Sequence, residues 1–285
     1  MKWQVFRPSI SLQHLVKCYC VYEQEDDALV PPRLALPSPT PALVLRYDTL
    51  RRPSLPPDVA ALRPAVGWLC RPVSELRQEV QCGPTNGLLG ITFQPTGFYQ
   101  LFGMSVGLAS GAGPAVAGAA GRFIRTLDQQ IRRAASTFGR IAAIEKQLRA
   151  RQKLGPQLPL AVQNLTTSIV QQHGQININA LAAGANLCRR QFERHFRKVV
   201  GVSPKLFAEI SRFHFVMQQL HQQPPLNWQD IIHACGYYDQ AHFIREFRRF
   251  MGEPPDTYLH LQQRHAAAAP GAPMNVAFLQ CNFLL

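Results

Sequence analysis

The chain has 285 residues, which is long for one domain and enough for two. Lys and Arg total 30 against 17 Asp and Glu, and hydrophobic residues make up 46%, so a wholly disordered chain is excluded and a polyanionic partner is expected. Arg supplies 24 of the 30 cations, which favours nucleic acid over an anionic membrane surface, because the guanidinium fork fits phosphates and base edges.

In chain order, residues 1–115 hold most of the prolines and several short apolar runs bounded by Pro, Gly or Asp. Ala42–Tyr47, Val66–Cys70 and Leu88–Phe93 read as strands, and Gly97–Leu108 reads as helical. The Gly/Ala run Ser110–Gly121 reads as a flexible break or a poorly specified loop. Residues 122–153 then carry nine cations against two acids, with apolar residues at helical spacing from Phe123 to Leu148. This predicts one or two amphipathic helices with a basic outer face. That face could be plain solvated surface, a DNA-backbone contact or a landing site for an acidic partner. Gly155-Pro156 and Pro159 punctuate a linker, residues 158–261 read as helical throughout, and an Ala run leads into the apolar tail AFLQCNFLL.

The expected organisation is α+β. A β-rich sensory or regulatory domain spans 1–121, a basic helical connector 122–157, an all-α domain 158–262 and a tail 263–285. No run reaches the roughly 18 apolar residues of a membrane span. The first ten residues lack the apolar core of a secretory signal. The seven cysteines are scattered without a CxxC pair, so buried or incidental thiols in a reducing cytosol are expected rather than a disulfide framework or zinc ribbon. The histidines form no HxH or HExxH motif, so no metal, cofactor or catalytic residue is expected.

The most informative feature is a repeat offset by 51 residues. Leu181 aligns with Ile232, Ala183 with Ala234, Phe192 with Phe243, Arg194 with Arg245 and Phe196 with Phe247. Arg197-Lys198 aligns with Arg248-Arg249, Gly201 with Gly252 and Pro204 with Pro255. Two copies are too few for a solenoid and suit two related subdomains. In the first, Asn177 can cap a short helix, Ile178–Ala183, followed by a turn at Gly184 and Asn186. A second helix then runs from Cys188 to Val200. In the second, Asn227 can cap Trp228–Ala234, Gly236 suits the turn and Asp239 can cap a helix ending near Met251. Each copy is a helix-turn-helix whose second helix buries phenylalanines and bears cations. Ser203-Pro204 starts a long helix, with Leu206, Ile210, Phe213, Met217 and Leu220 on its apolar side, that would join the two as a strut.

The segments LAAGANLCRRQFERHFRKVVGVSPKLF and IIHACGYYDQAHFIREFRRFMGEPPDTYL resemble the two helix-turn-helix signatures of the AraC-type transcription regulators, over roughly residues 158–262. The resemblance implies a seven-helix tandem helix-turn-helix domain and regulation of transcription, most often activation. Its partners would be double-stranded promoter or operator DNA and RNA polymerase, with a small-molecule effector and a second copy in a homodimer. The location would be cytoplasmic, with no membrane partner. Cys188 stands where the family usually has a capping Ser, Ala241 where Ser is usual, and Pro254 replaces a Ser. The N-terminal pattern, including GITFQPTGFYQLFG, resembles the cupin-like sensory domains of many such regulators.

By position in that pattern, the base readers are Arg190, Glu193 and Arg194 in the first recognition helix and Gln240, His242 and Arg245 in the second. Alternatives stand beside these roles. Arg194 and Arg245 could brace the fold through an internal carboxylate, Glu193 could pair with Arg189 or Arg197, and His242 could cap or pack. Arg189, Arg197, Lys198, Arg248 and Arg249 suit phosphate contacts, or for the last two a solvated face. Phe192, Phe196, Phe243 and Phe247 are read as core rather than base-stacking. Two other functions compete: a nonspecific or architectural DNA binder, and a helix-turn-helix regulator fused to an enzyme. The second resembles the DNA alkyl-repair proteins, whose Pro-Cys-His-Arg motif this sequence lacks.

Overall fold

The computed structural model describes residues 2–23, 33–35, 38–47, 68–70, 78–80, 87–105, 111–112, 118–158, 160–178, 188–222 and 228–260. The N-terminal strands are β1 (Lys2–Phe6), β2 (Val16–Glu23), β3 (Arg33–Ala35), β4 (Ala42–Tyr47), β5 (Trp68–Cys70), β6 (Gln78–Val80), β7 (Gly87–Phe93) and β8 (Gly111–Ala112). One antiparallel sheet runs β1-β2-β7-β4-β5-β8, and β3 pairs with β6. The strands at Ala42–Tyr47 and Leu88–Phe93 therefore form as expected. Both are buried along their whole length, so both sheet faces are covered and the sequence reads as a continuous apolar run rather than an alternation.

The helical stretch after Pro95 is shorter than expected: α1 is Gly97–Phe102 and ends at Gly103, whose φ of 70° closes the helix. The Gly/Ala run is also not simply a break. Gly111–Ala112 pairs with β5, and α2 (Gly118–Arg133) starts inside the run. The alanines are strong helix formers, and Ala120 and Gly121 are buried, so packing overrides the glycine content. The basic segment is two helices, α2 and α3 (Thr137–Gln152), packed on the sheet. Phe123, Leu127, Ile131, Ile144 and Leu148 share one apolar core with Tyr19, Leu43, Leu89 and Ile91.

Several cations of that segment serve the fold. Arg140 is buried, reaches Glu23 at 3.3 Å and lies 4.0 Å above the Tyr47 ring, while the Tyr47 hydroxyl donates to Glu23 at 2.8 Å. Arg132 pairs with Asp128 and Arg149 with Glu145, each one helical turn back. Arg122, Arg125, Arg133, Lys146 and Lys153 remain exposed as the basic outer face.

The C-terminal part is helical: α4 (Leu160–Gln171), α5 (Arg189–Val200), α6 (Pro204–Gln222), α7 (Trp228–Ala234), α8 (Gln240–Met251) and α9 (255–260). Two cores form around α6. Phe207 and Ala208 join α4 and α5 in one; Ile210, Phe213, Val216 and Met217 join α7 and α8 in the other. The long helix is the expected strut, and the Ser203 hydroxyl caps it by accepting the Leu206 N–H at 3.2 Å. The expected helix beyond Ile178, the Asn227 cap and the apolar tail lie outside the described residues. Cys18, Cys188 and Cys235 are free, whereas Cys20 is disulfide-bonded, which corrects the reading of every cysteine as a thiol. Among the described residues, no helix is long and apolar enough to cross a membrane.

Candidate nucleic-acid interface

Within the described residues, the second half of the sequence repeat is also a repeat in space. Helices α5 and α8 are both 12 residues long, and their bounds differ by the same 51-residue offset. Each ends at a left-handed glycine, Gly201 at φ 93° and Gly252 at φ 79°. Phe192 and Phe196 are fully buried in the first copy, Phe243 and Phe247 in the second, so the four phenylalanines are core. The opposite side of each helix carries the cations. Arg190, Arg194 and Arg197 stand at i, i+4 and i+7 on α5, and all are exposed. On α8 the equivalent strip is Ala241, Arg245 and Arg248, flanked by exposed Gln240.

The two N-termini differ as their residue types demand. The Asp239 carboxylate accepts the His242 backbone N–H at 2.6 Å, while Cys188 has the extended backbone of a cap but makes no side-chain cap bond. Asp239→Ala is therefore expected to cost about 1 kcal/mol, and Cys188→Ser to stabilise by a similar amount. Urea unfolding followed by circular dichroism would read both, and effects of the same sign would contradict the cap assignment.

In the second copy the turn between α7 and α8 passes through Gly236 at φ 68°. A side chain there would meet the Gln175 amide, whose Nε2 donates to the Ala234 carbonyl at 2.9 Å. This ties the turn to the segment after α4.

The structure places the six expected base readers differently. Arg190, Arg194, Gln240 and Arg245 are exposed, and among the described residues the three arginines make no ion pair. Glu193 accepts a hydrogen bond from Arg189 at 3.0 Å, so these two are paired in the free protein. His242 is half-buried, edge-on to Tyr237 and 3.7 Å from the Glu246 carboxylate. Of the expected phosphate contacts, Arg197, Lys198 and Arg248 are exposed, while Arg249 pairs with Glu209 on α6 at 2.9 Å.

A buried carboxylate brace does exist, but Arg194 and Arg245 do not make it. Arg212 on the strut donates to both oxygens of Glu246, at 3.1 and 2.8 Å. The Tyr237 hydroxyl donates to the same carboxylate at 2.7 Å, and the guanidinium lies 4.7 Å over the Tyr237 ring. Burial first, then the carboxylate, pushes the Tyr237 hydroxyl far above its usual range, so it stays a proton donor. The signal was in the spacing: Glu246 falls three residues after Phe243 and next to Phe247, on the buried stripe of an otherwise basic helix.

One helix-turn-helix, Trp228–Ala234 with Gln240–Met251, and a second cation-bearing helix of matched bounds, Arg189–Val200, are fixed on one strut. Residues 181–260 match the family model described as a helix-turn-helix domain, and residues 4–111 match one described as a domain of unknown function (DUF6597). The HTH-type transcriptional regulator GbdR of Pseudomonas aeruginosa, from strains UCBPP-PA14 and PAO1, is 31% identical over 85 residues, 28% of this chain and 22% of the relative. The chain thus spans about a fifth of the length of the curated relatives it matches. Among solved structures, ToxT of Vibrio cholerae is similar with a TM-score of 0.37 and 10% identity, covering 92% of this chain and 99% of that one. The family model and the internal repeat coincide, so residues 181–260 are a helix-turn-helix domain.

Proposed function

We propose that the protein is a sequence-specific DNA-binding regulator of transcription whose α5 and α8 enter successive major grooves on one face of the duplex, about 34 Å apart. The observation that carries this reading is the pair of equal helices in equal cap positions on one strut, each with exposed arginines opposite its buried phenylalanines. In this reading Arg190, Arg194, Gln240 and Arg245 reach base edges, and Glu193 and His242 join them once their internal partners give way. Arg189, Arg197, Lys198, Arg248 and Arg249 hold phosphates. Residues 158–262 form the DNA-binding unit. Residues 1–157 form the regulatory unit, with α2 and α3 belonging to the sheet whose core they share.

Activation through contact with RNA polymerase, homodimerisation, a small effector and a cytoplasmic location complete the proposal. No catalytic step is part of it. The test is a salt titration on a selected operator and on a random duplex. A sequence reader keeps a large affinity ratio between the two, whereas an architectural binder holds both alike. Arg248→Ala should weaken both complexes evenly and shallow the slope of log K against log salt by about one unit. An unchanged slope would assign Arg248 to a solvated face.

A further inference from the structure

The outer face of α2 and α3 takes no part in the proposed contacts of α5 and α8, yet it is the more basic surface. Residues 122–153 hold nine cations against two acids, where α5 holds five against one and α8 three against one. Both helices bury one side in the core they share with the sheet, so their opposite sides face solvent together. Arg122, Arg125 and Arg133 stand on that side of α2, and Lys146 and the C-cap Lys153 on that side of α3; all five are exposed. Neither acid offsets them: Asp128 and Glu145 are largely buried and already paired with Arg132 and Arg149. Among the described residues none of the five makes an ion pair.

Such a face is not what solubility alone selects. Arg122 and Arg125 repel at i, i+3, Lys146 and Arg149 at i, i+3, and Arg149 and Lys153 at i, i+4. Each like-charge pair costs helix stability, whereas a plain solvated face interleaves the two signs. The charge is also concentrated at one end. Residues 134–136 join two 16-residue helices that pack on each other, so the hairpin is antiparallel and the start of α2 lies level with the end of α3. Arg122 and Arg125 thus share that end with Lys146, Arg149 and Lys153, and Arg133 lies at the other. Gly155 sits so close to the Gln100 carbonyl that a side chain would overlap it, which fixes where the chain leaves α3. From Lys153 to Leu160, the first residue of α4, is seven residues, at most about 25 Å. In turn, α4 shares its core with α5.

We infer that the linker end of the α2–α3 hairpin is a second DNA surface, which holds phosphates of the duplex just beyond the site of α5. This second contact rests on the DNA-binding reading of α5 and α8, which it extends to the other unit. Phosphate contacts add affinity and fix register but choose no sequence, so this surface tightens binding to any flank. An acidic protein would satisfy the same charges, but the short link to α4 favours DNA: a duplex seated on α5 continues past cations that the chain holds within about 25 Å of α4.

The test uses the full chain and fluorescence anisotropy on three duplexes. One is the selected operator trimmed to its two half-sites; the others add one helical turn, about 10 base pairs, at the α5 end or at the α8 end. Arg194→Ala, which removes an α5 contact, tells the ends apart. Extension at the α5 end should tighten binding about fivefold or more near 0.1 M salt. It should also steepen log K against log salt by about 0.9 for each phosphate held, roughly three to four units in all. Extension at the α8 end should change affinity by less than about twofold. Arg122→Gln with Arg125→Gln should take about two units off the steepened slope, and Lys146→Gln with Lys153→Gln as much again. Neither pair should lower the unfolding temperature or the affinity for the trimmed operator. No gain from the α5 end would overturn the surface and leave the face to an acidic protein. Equal gains from both ends, or a gain that survives all four replacements, would overturn it too. A trimmed operator bound no better than random DNA would instead strike the DNA-binding reading, and the second contact with it.

Discussion

Glu246→Ala is expected to destabilise the C-terminal unit by about 2–4 kcal/mol, because it leaves the half-buried Arg212 guanidinium and the buried Tyr237 hydroxyl without their carboxylate. Two Arg212 bonds and the Tyr237 hydroxyl converge on that one side chain. The strut, the turn of the second copy and α8 all lose their common anchor. The double replacement Arg212→Met with Glu246→Leu should be far milder, since exchanging a buried pair for apolar side chains of similar volume is often neutral. Urea unfolding of both variants by circular dichroism would read the difference. A loss below about 1 kcal/mol for Glu246→Ala would mean that water replaces the carboxylate, and the brace would lose its assigned role.

The second large effect concerns recognition. Arg194→Ala and Arg245→Ala are each expected to weaken operator binding by about 1–3 kcal/mol while leaving binding to random duplex within a few tenths. Both side chains are exposed and make no ion pair among the described residues, so neither substitution should disturb folding. They sit at equivalent positions of separate cores, so their effects should add. Equal losses on operator and random DNA would reassign both arginines to phosphates.

Much of the helical C-terminal region could be read from the chain because its physics is local. Phenylalanines at helical spacing declared the buried stripes, glycines declared where helices stop, and the 51-residue offset set α5 and α8 at matching bounds. Cys188 without a cap bond and Asp239 with one follow directly from their side chains. What the sequence hid was tertiary. Nothing local says that Arg212 on the strut, rather than Arg194 or Arg245, meets the one acid on the second buried stripe. Nor does the spacing tell that Arg140 is swallowed by Glu23 and Tyr47, more than ninety residues away in the chain, while its neighbours stay in solvent. The start of α2 inside a Gly/Ala run is the same lesson. Burial against a sheet decides the outcome where propensity is mixed.

The net charge of +13 reads differently with the fold in hand. Residues 161–285 contribute only +4 of it, and residues 1–160 contribute +9, partly through cations already committed to Glu23, Asp128 and Glu145. On the proposed reading, bulk charge draws the protein toward DNA and the exposed strips of α5 and α8 read it.

Hydroxyl-radical footprinting on an operator obtained by in vitro selection tests the tandem reading most directly. The expected pattern is two protected tracts on one face of the duplex, with centres about 10–10.5 base pairs apart. Arg194→Ala should clear one tract and Arg245→Ala the other. A single tract, or uniform protection that random DNA reproduces, would contradict two readers held on one strut.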